Sequence, residues 1–135
     1  MLRHTSAIRR GSSVVLLAVA ASAIAIPVAL AATWNASCND QEACVWKHAN
    51  FGIPKAAKDG DDGQYNNDDW PNTTDNMNDE TSSIKNKYNV KRVFWFFNSG
   101  YEGTSFCLQA GWESGDLNSH NDEYSSHLIA SSGSC

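Results

Sequence analysis

Beyond position 31 the chain alternates short apolar or aromatic runs with clusters of Gly, Asn, Asp and Ser. The runs cover residues 43–47, 90–97, 104–108 and 126–130, each of strand length and each closed off by turn-forming residues. This pattern predicts an all-β sandwich with few helices. The stretch Val93-Phe94-Trp95-Phe96-Phe97 is apolar at both alternating sets of positions, which predicts a central strand covered on each side. Residues 55–78 read differently. Asp59, Asp61, Asp62, Asp68, Asp69 and Asp75, with Gly60, Gly63 and Asn66-Asn67, make a long polar loop punctuated by Tyr65 and Trp70. It is expected to be the most mobile ordered part of the molecule.

The start of the chain is not part of this pattern. Residues 1–13 carry cations and no carboxylate, residues 14–26 are apolar, and Ala29-Leu30-Ala31 offers the small-x-small pattern of an export signal cleaved after Ala31. An uncleaved anchor over residues 14–32 is the competing reading, set against the Ala content, Pro27 and the Ala-x-Ala site. One domain over residues 32–135 is therefore expected, secreted to the extracellular medium, monomeric and off the membrane in mature form. That part holds seven Lys and Arg against fifteen Asp and Glu, a net charge of −8, which argues against a nucleic-acid surface because phosphate binding needs clustered cations. All fourteen aromatic residues lie in it and can supply a core. Export also puts Cys38, Cys44, Cys107 and Cys135 in an oxidising compartment, where an even count points to two disulfides. Three pairings are possible. Cys38–Cys44 is favoured because it closes a small loop, and Cys107–Cys135 because it ties down the C-terminus. A zinc site is disfavoured by the lack of Cys-x-x-Cys.

The chain also repeats itself. Asn78-Asp79-Glu80-Thr81-Ser82-Ser83 returns 43 residues later as Asn121-Asp122-Glu123-Tyr124-Ser125-Ser126, identical at five of six positions and followed in each copy by an Ile-containing stretch. Upstream, Trp46 and Phe51 before Gly52 correspond to Phe96 and Tyr101 before Gly103, with the glycine one position earlier in the first copy. The polar loop is then an insertion in the first unit. Each hexapeptide offers an Asp carboxylate, Ser hydroxyls and turn carbonyls, a set of hard oxygens suited to Ca²⁺. Neither copy alone supplies six to eight oxygens, so two units packed about a pseudo-twofold would share ligands. With one Asp per copy the sites should be weak, on the order of 10⁻⁵ to 10⁻³ M. The alternative is an ion-free turn in which Asn-Asp and the serines bond neighbouring backbone.

These residues resemble the βγ-crystallin unit, a Greek-key motif whose calcium-binding members carry two Asn or Asp, two variable residues, Ser or Thr, then Ser. Both hexapeptides match. The order of Cys38, Cys44, Val45-Trp46, Asn50-Phe51-Gly52, first hexapeptide, Gly100-Tyr101-Glu102-Gly103 and second hexapeptide is similar to exported bacterial proteins of the metalloproteinase-inhibitor family of this fold, over about residues 38–129. The resemblance implies a βγ-crystallin-type Greek-key β-sandwich of two pseudo-symmetric motifs, about 38–89 and 90–135. It implies one Ca²⁺ site from the Glu80 carbonyl, Ser82 and Asp122, and a reciprocal one from the Glu123 carbonyl, Ser125 and Asp79. Asn78, Asn121, Ser83, Ser126 and Gly103 would hold the turns and folded hairpins. The early Gly52 departs from the aromatic-x-Gly hairpin pattern.

The implied partner is an extracellular protease, although inhibitors of the family present a loop stiffened by a disulfide and the insertion here has no cysteine. A flexible loop would lose ordering entropy on docking, so Tyr65 and Trp70 are the candidate partner-binding anchors. The alternative is a carbohydrate, cell-wall-binding or antimicrobial toxin-like module with calcium as a staple. Three or more aromatics in one exposed plane would favour a glycan, and a single rigid convex loop a protease. The chain does not read as an enzyme. His48, His120 and His127 have no metal spacing, no Ser or Cys sits in a nucleophile motif, and only a triad assembled from distant residues would supply one. His120 and His127 are expected at loop and strand surfaces.

Overall fold

The computed structural model describes residues 32–135, so the expected export signal lies outside the described residues. Seven strands form two antiparallel sheets: β1 (Ala43–His48), β2 (Gly52–Lys58), β3 (Ser83–Asn86), β4 (Arg92–Asn98), β5 (Glu102–Leu108), β6 (Glu113–Ser114) and β7 (Ser126–Ala130). One sheet has the order β2-β1-β3-β6 and the other β5-β4-β7. Strands β1, β4, β5 and β7 fall where the apolar runs predict them. Strand β2 was not legible, because it is an edge strand that accommodates Pro54, Lys55 and Lys58. Among the described residues no helix is long and apolar enough to cross a membrane.

Strand alternation divides the apolar side chains between two clusters. Ala43 and Val45 of β1 face the intersheet core with Val93, Trp95, Ile84, Leu108 and Tyr124. Cys44 and Trp46 point the other way and pack with Ala57, Cys38 and Phe51. The Cys38–Cys44 disulfide thus covers the outer face of β1, and Cys107–Cys135 ties the C-terminus to β5. Both bridges are the favoured pairing. Strand β4 is central, as predicted, but only Val93 and Trp95 are sealed. Phe94 and Phe96 are half-covered, by the Arg92 guanidinium and the Tyr101 ring respectively.

The duplication is a physical pseudo-twofold, visible as matched hydrogen bonds. Asn50 N–H donates to the Gly115 carbonyl and Gly100 N–H to the Gly63 carbonyl, at 2.6 and 2.7 Å. Each unit also lends a strand to the other's sheet: β6 of the second unit pairs with β3 of the first, while Asp62 of the first bridges His127 in β7. From Gly63 to Asp79 the chain advances 16 positions, and from Gly115 to Asp122 only seven. The insertion is therefore confined to the part after Tyr65, and it is not loosely attached. Tyr65, Trp70 and Met77 are fully buried in the main core.

His127 is also a core residue, contrary to the surface position expected for it. Its Nε2–H donates to the Gly60 carbonyl and its Nδ1 accepts from the Tyr65 hydroxyl, both at 2.8 Å. It occupies the place in β7 that Ile84 occupies in β3, and the rings of Trp34, Tyr65 and Trp95 surround it. Burial is the main cause that lowers its pKa to about 4, outweighing the Gly60 hydrogen bond and the nearby Asp62 and Asp61 carboxylates. The unfolded chain would take up this proton near pH 6.5 and the folded one only near pH 4. Stability contributed by the neutral ring is thus complete above pH 6.5 and is lost as pH falls between the two values. Thermal melts at stepped pH should show a loss of about 3 kcal/mol across that window, and His127→Gln should flatten it.

Candidate functional site

The two hexapeptides lie against each other and complete one another's turns. Asp122 N–H donates to the Thr81 carbonyl at 3.0 Å, and Asp79 N–H to the Tyr124 carbonyl at 3.1 Å. Each unit's own first strand holds the serine end: Ser82 N–H bonds the Trp46 carbonyl and Ser125 N–H the Phe96 carbonyl, both at 2.9 Å. Asp79 and Asp122 adopt the left-handed backbone, with φ of 54° and 57°, a region Asp tolerates because its short carboxylate satisfies nearby donors. In each copy the preceding Asn donates from Nδ2 to Oδ2 of the Asp at 2.7 Å. That aims the other carboxylate oxygen across the pseudo-twofold.

The oxygens meet there in reciprocal pairs. Ser82 Oγ lies 3.1 Å from Asp122 Oδ1, and Ser125 Oγ lies 2.8 Å from Asp79 Oδ1. The sequence-derived ligands Asp79, Ser82, Asp122 and Ser125 are thus together, and in the crossed arrangement. The Glu80 and Glu123 carbonyls accept no hydrogen bond among the described residues, which leaves their lone pairs free. The Glu80 carboxylate is turned away, to Lys47 Nζ at 2.9 Å and Trp70 Nε1 at 3.0 Å. A cavity of about 380 Å³ opens beside the first pair, lined among others by Lys47, His48, Asp79, Glu80, Ser82 and Asp122.

This donor set fits calcium. Two oxygens each about 2.4 Å from one ion and about 75° apart lie about 2.9 Å from each other, the spacing of both Asp–Ser pairs. Ser82 Oγ can also direct its single proton to the Lys47 carbonyl at 2.7 Å, leaving lone pairs for a cation. The groups are carboxylate, hydroxyl and carbonyl oxygens. Among the described residues no group of three or more His, Cys, Asp or Glu side chains is placed to hold a metal ion, so an ion here would rest on one carboxylate per site with hydroxyl and carbonyl oxygens.

Ser83 and Ser126 do the structural work expected of them. Ser83 Oγ donates to the His48 carbonyl at 2.8 Å and accepts from Phe51 N–H at 3.1 Å; Ser126 Oγ does the same with Asn98 and Tyr101 at 2.7 and 3.2 Å. Each serine thereby pins the left-handed aromatic of its hairpin, Phe51 at φ 62° and Tyr101 at φ 65°. The displaced glycine leaves this geometry intact. Gly52 sits where a Cβ would come within 2.9 Å of the His48 Cβ, whereas Gly103 is needed for φ +78° and its approach to Asn98.

Tyr65 and Trp70 are not surface anchors. Both are fully buried, because the loop folds back and inserts them between the sheets. Lys47 was missed: it links Glu80 of the hexapeptide to Asp75 of the insertion, a three-way pairing that pushes the ammonium pKa up. It stands at the end of β1 on the same side as Val45, and a single lysine there carries no sign in the sequence of the partners it takes.

The fold and the crossed hexapeptides define a βγ-crystallin domain. The chain is similar to a solved structure concerned with the evolution of the eye-lens βγ-crystallin domain fold, at 24% identity and TM-score 0.61 over 76% of this chain and all of that one. It is similar to spherulin 3a of Physarum polycephalum at 24% identity and TM-score 0.56, covering 78% of this chain and all of that one. A βγ-crystallin from Ciona intestinalis matches at 22% identity and TM-score 0.54, over 64% of this chain and 96% of that one. No curated protein sequence matches. The chain belongs to peptidase inhibitor family I36, whose model matches residues 31–108. The family is one of peptidase inhibitors and not of enzymes.

Replacing Ser83 or Ser126 by Ala should lower unfolding free energy by about 1–3 kcal/mol in chelator, since each change strands a backbone donor and acceptor. Chemical denaturation of the two variants measures it.

Proposed function

We propose that this chain is an exported, calcium-binding member of the peptidase inhibitor family that acts on extracellular peptidases. The observation that carries the calcium reading is the reciprocal seating of Ser82 on Asp122 and Ser125 on Asp79 at coordination spacing. In the first site the Glu80 carbonyl, Ser82 and Asp122 would hold the ion; in the second, the Glu123 carbonyl, Ser125 and Asp79. The ion supplies charge neutralisation where two carboxylate-bearing turns face each other, and so links the units. Export is supported by the two disulfides, which persist in oxidising compartments.

The peptidase reading rests on the family match and is favoured over glycan binding by the surface. Tyr101 and Trp112 are the exposed large aromatics among the described residues, fewer than a sugar-stacking platform of three requires.

Calcium that binds only the folded form should raise the melting temperature. Identical melts in millimolar calcium and in chelator would reject the site. In calorimetric titration, Asp122→Ala should weaken the event at the Glu80–Ser82 site and Asp79→Ala the event at the Glu123–Ser125 site, each at least tenfold, and any effect on the other event measures coupling through the shared turns. Both events undiminished in either variant would contradict the crossed assignment.

A further inference from the structure

The nine positions by which the first unit exceeds the second fall within one projection, residues 68–77, and the fold invests heavily in holding it. Its two arms are joined by Trp70 N–H to the Asp75 carbonyl at 2.8 Å, Met77 N–H to the Asp68 carbonyl at 3.0 Å and an isolated Asp69–Asn76 bridge. Asn76 Nδ2 braces the base through the Asn66 and Asp68 carbonyls, both at 3.0 Å. Trp70 and Met77 are rooted in the core. From the side, Lys47 ties Asp75 to Glu80, whose carboxylate also receives Trp70 Nε1.

All of this restraint supports an exposed tip. Residues 72–76 are exposed. Thr73 N–H donates to the Trp70 carbonyl at 3.0 Å, with Pro71 and then Asn72 at φ 66° between them, which is a type II turn with its preferred residues. Thr73 Oγ1 locks it further, donating to the Trp70 carbonyl at 2.8 Å and accepting from Asp75 N–H at 3.1 Å. A turn so held loses little entropy on docking. Peptidase clefts take up chain in extended form, and this segment can reach that form only by breaking the 70–73 closure, so it seats without becoming a substrate.

We propose that the turn at residues 72–75 is the surface that enters the cleft of a target endopeptidase, with Trp70 and the Lys47–Glu80–Asp75 clamp replacing the disulfide staple. The inference rests on the peptidase reading above. It also makes Glu80 a double agent, its carbonyl directed to the cation cradle and its carboxylate to the loop.

The test titrates the full exported domain, in calcium, against a zinc endopeptidase of the thermolysin class and a serine endopeptidase of the subtilisin class. Thr74→Arg puts a bulky cation on the tip at a side chain that holds nothing in place, and Trp112→Ala alters an exposed site outside the loop. The expected result is an inhibition constant at least tenfold weaker for Thr74→Arg, with wild-type melting temperature, and unchanged inhibition by Trp112→Ala. Hydrogen exchange of the wild-type complex should show protection at amides 72–75, a readout independent of any variant's folding. Undiminished inhibition by Thr74→Arg together with unprotected tip amides would overturn the assignment while leaving the inhibitor reading standing. No inhibition of either peptidase by the wild-type protein would overturn both.

Discussion

Two six-residue turns crossing each other back to front are the constraint on which this molecule depends. Each donates an Asp N–H to the other's backbone and places its Asp carboxylate on the other's Ser. Because the contact is reciprocal, neither unit can complete its own turn, and the two halves of the chain are obliged to pack about a common axis. The exchange of β6 and of the Asp62 bridge between sheets follows the same logic. A small domain with many Asn and Asp residues gains cooperativity this way, since the loss of either half exposes the other's backbone groups.

Negative charge is concentrated where the turns meet, and the molecule manages it with donors. Asn78 and Asn121 each take one oxygen of the adjacent carboxylate, leaving the second directed at the partner. At the rim the first unit has Lys47 where the second has Phe97, and its ammonium engages Asp75 of the insertion and the Glu80 carboxylate, not the Asp–Ser pair. The asymmetry of the insertion is thus written into the rim of an otherwise symmetric site.

Elsewhere the domain tolerates an unusual core. His127 replaces the aliphatic residue of the equivalent strand and is satisfied at both ring nitrogens. Asp62 beside it is buried, which raises its pKa, yet the Lys58 ammonium and Gln64 N–H together outweigh that and hold it below its usual value. These polar groups fix the base of the insertion to β7, so the Asp-rich segment is bonded to the middle of the fold.

The sequence by itself determined the two-unit architecture, four of the strands and the identity of the residues at the crossing; it only favoured the disulfide pairing that the fold contains. These rest on local alternation and on a repeat visible by inspection, and both survive folding unchanged. Tertiary structure decided the rest. The burial of Tyr65, Trp70 and His127, the pairing of Lys47 with residues 28 and 33 positions away, and the anchoring of an Asp-rich loop depend on which distant groups satisfy one another. A single aromatic in a polar stretch has no periodicity to reveal its direction, and a hydrogen bond between remote residues leaves no trace in spacing.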